Sequence, residues 1–137
     1  MRVHVRELEY SSSRDVELID VTEDVERVVE ESGVSAGICV ISVPHATAAL
    51  VVNENEKGLI EDMKDKISEI FPKGRGYEHD RIDDNAHAHL ASAFLGPSKV
   101  LPVHGGKLVR GAWQNIFLVE LDGPRNVRRL VVAVLGE

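Results

Sequence analysis

The sequence predicts a single α+β domain over residues 1–137, with an antiparallel-rich β-sheet core and two or three helices. Three observations carry that expectation. The chain has 137 residues, the size of one domain that can hold a core without covalent staples. Short β-branched runs recur along it, separated by turn residues. Between them lie stretches whose apolar residues return at helical rather than strand spacing.

Residues 2–10 alternate weakly and predict a first strand with Val3 and Val5 on one face; residues 16–21 predict a second. Thr22-Glu23-Asp24 has the form of a helix start, a capping hydroxyl followed by acids that favour the positive end of the helix dipole. Val25, Val28 and Val29 continue it, and Gly33 closes it. Residues 36–43 (AGICVISV) predict a strand buried on both faces, broken by Pro44-His45 and followed by a further extended run from Thr47 to Val52. Residues 56–70 predict an amphipathic helix whose stripe is Leu59, Ile60, Met63, Ile67 and Ile70. A loop opened by Pro72, Gly74 and Gly76 runs to about Asp84. Residues 86–95 then form a shorter helix that Gly96-Pro97 ends. Gly105-Gly106 marks a hairpin, a long strand runs from Leu108 to Leu121 with Trp113 in the core, Asp122-Gly123-Pro124 turns, and a last strand spans Val127 to Leu135.

Apolar residues are 43% of the chain but aromatics only 4%, so the core is expected to be built from Val, Leu, Ile and Ala. The formal net charge of -7 argues against a general nucleic-acid or membrane-surface binder, which needs a basic face to neutralise phosphates. The lone Cys39 leaves no intrachain disulfide and reads as a small buried hydrophobe. The N-terminus does not have the form of a signal peptide, and no apolar run reaches membrane-spanning length, so a cytoplasmic protein is expected.

The chemistry concentrates in YEHDRIDDNAHAHL, where His79, His87 and His89 stand among Asp80, Asp83, Asp84 and Asn85. Imidazoles with carboxylates are typical ligands for zinc and similar ions, and carboxylates also orient ligating rings. On a helix starting near Asn85, His87 and His89 lie about 200° apart and cannot share one ion. One of them is therefore expected to enter the site and the other to serve elsewhere, with Leu90, Ala93 and Phe94 as the buried stripe between them. A solvated polar loop whose His merely cap and hydrogen-bond is the plain alternative. His45, at a break between two apolar strands, has little packing reason to be there. Asn53 reads either as a cap or as a ligand donor, and Arg125 either as a surface turn cation or as a fork for phosphate or carboxylate. No Walker loop, dinucleotide fingerprint, CxxC pair or GxSxG elbow is present.

The segments PHATAALVVNE, YEHD, NAHAHLASAFLGPS, GKLVRGAWQNIFLVELDGPR and VVAVLGE resemble the YjbQ family, also called secondary thiamine-phosphate synthases. The resemblance covers about Leu18 to Glu137. It implies an α+β fold, a homotrimer, and a weak thiamine-phosphate synthase activity that joins a pyrimidine pyrophosphate to a thiazole phosphate. The family's histidine pattern maps onto His45, His79 and His89, with Asn85 and His87 beside them; Ala112 stands where the family often has Thr. Three protein ligands and an open position is the layout of a catalytic metal site. The resemblance thus implies a divalent metal, zinc as isolated, on His45, His79 and His89, with Asn85 and His87 beside it; Arg125 after its Gly-Pro turn, with Asn53 and Ser98 as neutral donors, is expected to complete a pocket for an anionic substrate. The expected function is a metal-assisted transferase acting on a small phosphorylated metabolite. A metal-dependent hydrolase of such a metabolite and a non-catalytic metal- or anion-binding protein are the alternatives.

Overall fold

The structure, a computed structural model, describes residues 1–137. In chain order it runs β1 (Arg2–Tyr10), β2 (Glu17–Asp20), α1 (Thr22–Ser32), β3 (Ala36–Ser42), β4 (Ala48–Asn53), α2 (Lys57–Ile70), a 3-10 turn (Glu78–Arg81), α3 (Ala86–Leu95), β5 (Ser98–His104), β6 (Lys107–Leu108), β7 (Asn115–Glu120) and β8 (Arg128–Gly136). The strands form a five-stranded sheet, β1-β8-β3-β5-β6, and a three-stranded sheet, β2-β7-β4, with every pairing antiparallel. The fold is α+β, as the residue patterns predict.

The two sheets and α1 enclose the main core, to which α1 gives Val25, Val28 and Val29, β3 gives Cys39 and Ile41, β4 gives Leu50 and β7 gives Ile116 and Leu118. Side chains of opposite parity, Ala49, Phe117 and Val119, point to the other face of the small sheet. There α3 covers them with Ala88 and Ala91, and Ile60 and Ile67 of α2 pack alongside. The strand buried on both faces is therefore β7, not β3. In β3 burial alternates: Cys39 and Ile41 are fully enclosed while Ile38 is 44% exposed. The reason is that nothing in the chain covers the outer face of the large sheet. That face also leaves Val3, Val5 and Val100 open. Burial pushes the Cys39 thiol up to about 11, in keeping with a small core residue.

Several local expectations hold. Gly33 closes α1 in the left-handed region, at φ 70°. Gly105 and Gly106, at φ 61° and 76°, make the β5–β6 hairpin, since both positions need positive φ. Others are corrected. Thr22 is not the cap of α1: its hydroxyl donates to Asp20, whose Oδ1 also accepts the Thr22 N–H. The strand from Leu108 to Leu121 is interrupted, and residues 109–114 turn between β6 and β7. The Gln114 Oε1 accepts the Gly111 N–H at 2.7 Å and Arg110 donates to the Gln114 carbonyl, which closes that turn. Trp113 consequently stands 73% exposed rather than in the core. Helix α3 is also rotated from its expected face. Ala86, Ala88, Ala91 and Ser92 are buried, whereas Leu90 and Phe94 are 39% and 76% exposed. Small side chains let the helix axis approach β4 closely, and the Ser92 hydroxyl fastens it by donating to the Ala48 carbonyl at 2.7 Å.

Candidate functional site

The 3-10 turn and the first half of α3 bring His79 and His89 together, with ring centroids 4.7 Å apart and planes at 71°. They line a pocket of about 390 Å³ together with Tyr77, Glu78, Ala86 and Leu90. The turn is held from below: Asp80 caps α3 by accepting the Ala86 N–H, and Asp83 accepts the N–H of Asp84. Those two carboxylates are thereby committed to backbone structure.

Asn85 is buried at the foot of the pocket and bonds two ways. Its Oδ1 lies 3.2 Å from His79 Nε2, and its Nδ2 donates to Asp122 Oδ2 at 2.9 Å. Arg125 grips Asp122 as well, donating from Nη2 to Asp122 Oδ2 at 2.8 Å and from Nε to the Asp122 carbonyl. The expected anion-binding arginine is thus linked to the histidine pair, but part of its fork already holds a carboxylate.

The turn carrying Asp122 and Arg125 rests on a buried ion pair that sequence reasoning missed. Glu120 is fully enclosed and Arg128 nearly so. Glu120 accepts from the guanidinium of Arg128, the hydroxyl of Ser12 and the N–H groups of Leu121 and Asp122. Burial alone would raise its carboxyl, yet these hydrogen bonds and the charge of Arg128 hold it below the usual glutamate value. Arg128 also donates to the carbonyl and hydroxyl of Thr47, which ties in the segment after β3. The available signal was a lone Glu in the otherwise apolar run IFLVEL.

His45 belongs to this second segment. Its Nε2 accepts the Arg129 N–H at 2.8 Å. Burial, and then the charge of Arg128, lower its pKa below the ordinary histidine value, with Arg129 and Arg125 acting the same way against Glu120. No three His, Cys, Asp or Glu side chains of the chain are placed to hold one metal ion. The set His45, His79 and His89 is therefore not assembled within one chain. His79 and His89 stand edge to face with ring centroids 4.7 Å apart, whereas His45 spends a lone pair on a backbone amide.

The remaining candidates lie apart. His87 is on the other side of α3, and its buried Nδ1 has no partner. Ser98 starts β5 and hydrogen-bonds Ser42 at 3.0 Å. Asn53 ends β4, opposite Asn115 and at the far end of the strand from Ala48, and accepts the Glu54 N–H. Near that end lies a second pocket of about 400 Å³, lined by Asp20, Glu23, Asp24 and Glu26 with Arg110. Asp20 there receives Thr22, Asn55 and Asn115, which outweigh burial and keep its carboxyl low. Its negative wall is unsuited to a phosphorylated ligand, and the histidine pocket is the stronger candidate.

The comparisons agree on one family. The model for UPF0047 protein YjbQ-like matches residues 6–137. A UPF0047 protein of Archaeoglobus fulgidus is 47% identical over 129 residues, covering 94% of this chain and 99% of that protein. One of Methanothermobacter thermautotrophicus is 44% identical over 137 residues, covering 100% and 95%. Among solved structures, a YbjQ-like protein of unknown function from Sulfolobus solfataricus superposes with a TM-score of 0.98 at 54% identity, covering 99% of each chain. A hypothetical protein from Aeropyrum pernix gives a TM-score of 0.94 at 41% identity, covering 97% of this chain and 98% of that one. The chain, matched along almost its whole length, belongs to the UPF0047 YjbQ-like family.

Proposed function

We propose that the chain is an enzyme that acts on a small phosphorylated metabolite at the His79–His89 pocket, with a transferase reaction of the thiamine-phosphate synthase type. One observation carries the reading: two imidazoles meet in a pocket of about 390 Å³, and Asn85 and Asp122 join one of them, His79, to Arg125. The resemblance to secondary thiamine-phosphate synthases names the reaction, a pyrimidine pyrophosphate joined to a thiazole phosphate.

A divalent cation, zinc as isolated, is the proposed cofactor, with His79 and His89 as its ligands from one chain. Such an ion would supply a Lewis acid that polarises a phosphoryl oxygen. The residues themselves orient the substrate. Arg125 keeps guanidinium hydrogens free beyond those given to Asp122, and the Glu120–Arg128 pair keeps its turn rigid.

The proposed assembly is a homotrimer. The open face of the large sheet, where Val5, Ala133, Val40 and Val100 stand in register across four strands, is the apolar surface available to a second copy.

Labelled pyrimidine pyrophosphate, supplied with and without the thiazole phosphate, tests the reaction. A condensed product only when both are present supports the transferase. Release of pyrophosphate without the partner would replace it with a hydrolase, and no turnover with retained binding would replace it with a binding protein.

A further inference from the structure

We propose that Asp122, acting through Asn85, keeps the proton of His79 on Nε2 and leaves its lone pair at Nδ1, while His45, outside that pocket, has the opposite polarity with its N–H at Nδ1. The inference deepens the reading of the histidine pocket as the functional site and rests on it for the ligand, though the tautomers themselves are properties of the free protein.

The argument for His79 begins at Asp122. Its Oδ2 accepts from the Arg125 Nη2 at 2.8 Å, so it faces Asn85 as an acceptor. Only the amide nitrogen of Asn85 can donate to it, which fixes the rotation of that amide with Nδ2 toward Asp122 at 2.9 Å. Oδ1 is then the atom 3.2 Å from His79 Nε2. An amide oxygen can only accept, so Nε2 carries the hydrogen. In the neutral ring that is the one N–H, and Nδ1 is then bare and able to bind a cation or take a proton. Asp122 bonds Asn85 rather than His79 and is not among the residues lining the pocket, so it is a positioning residue acting through Asn85.

His45 is settled by a different bond. The Arg129 backbone N–H can only donate, and His45 Nε2 receives it at 2.8 Å. Nε2 is therefore the bare nitrogen and Nδ1 carries the proton. Burial and the neighbouring Arg128 favour this neutral form at neutral pH. A ring whose lone pair is spent in this way cannot also ligate a metal. The ligand class that suits His79 is therefore a cation or an acidic proton, and His45 has only an N–H to offer.

The tautomers can be read directly. Long-range proton–nitrogen correlation spectra of the nitrogen-15-labelled full chain near neutral pH distinguish Nδ1–H from Nε2–H rings, with assignments from His45→Gln and His79→Gln. The expected pattern is Nε2–H for His79 and Nδ1–H for His45. Asp122→Asn should release the amide of Asn85 and move the two His79 nitrogen shifts toward each other. A proton on His79 Nδ1 or on His45 Nε2 in the wild type overturns the inference, and so does an unchanged His79 pattern in Asp122→Asn. Adding zinc chloride separates this from the metal reading. A response at His79 Nδ1 with none at His45 supports both, and a response at His45 overturns the donor role assigned to it.

Discussion

Glu120 and Arg128 are eight positions apart, on either side of a turn, and form an ion pair enclosed between the sheets, with side-chain exposures of 0% and 5%. Removing one partner leaves a buried charge alone. Arg128→Met is expected to cost about 3–5 kcal/mol, while replacing both residues with apolar ones should cost much less. Urea unfolding of the two variants measures the difference.

The same carboxylate gives the stability a pH dependence of known sign. Its folded pKa is below its ordinary value of 4.5, so the unfolded state binds the proton more readily. The contribution is present above pH 4.5 and is lost as pH falls through the lower folded value. Denaturant midpoints taken down the acid range should fall more steeply for the wild type than for Glu120→Gln, which starts less stable. Parallel curves would remove Glu120 from the acid response.

Metal content should sort the histidines. His79→Ala and His89→Ala are expected to lose bound zinc, with a fall in affinity of at least about tenfold. His87→Ala, on the other side of α3, should not. His45→Ala should also keep its zinc but lose about 1 kcal/mol of stability, because the Arg129 amide loses its acceptor. Elemental analysis of the four variants decides, and full occupancy in His89→Ala would sink the proposed ligand pair.

Inorganic phosphate should compete with substrate. Arg125→Lys is expected to weaken phosphate binding about tenfold, since an ammonium cannot grip Asp122 and an anion with one planar fork. Calorimetric titration of phosphate into both proteins is the test. Equal affinities would leave Arg125 as a strut for its own turn.

Assembly can be tested on the open sheet face. Light scattering should report about three chains per particle, consistent with closed cyclic symmetry. A Val5→Asp, Val100→Asp double variant should dissociate it, because both side chains stand more than half exposed in the lone chain. A wild-type monomer at micromolar concentration contradicts the proposed trimer.

What the sequence made legible was mostly local. Gly33 and Gly105-Gly106 marked the end of α1 and a hairpin through backbone conformations that glycine alone adopts easily. The density of His and Asp around residue 80 located the pocket without giving its geometry. One miss is a local turn and the others depend on contacts distant in sequence. Val109 to Trp113 looks like strand, but the Gln114 side chain folds back onto Gly111 and Arg110 holds the Gln114 carbonyl. Helix α3 has large apolar residues on one side and alanines on another, and pattern reading chose the large ones. The partner, β4, left room only for the small ones. The Glu120–Arg128 pair exists only once β7 and β8 are placed in different sheets, so no spacing rule announces it.

The alanine face of α3 has a consequence for how the pocket can change over evolution. Ala88 and Ala91 press the helix onto β4, and His89 lies between them on the same rigid body as the pocket wall. The gauge of the pocket is therefore fixed by the thickness of two methyl groups that no ligand touches. A single added carbon at either position would lift the helix and carry His89 with it. Variation that retunes this pocket has an inconspicuous route, through the hidden underside of a helix, and a survey of variants confined to pocket-lining positions would overlook it.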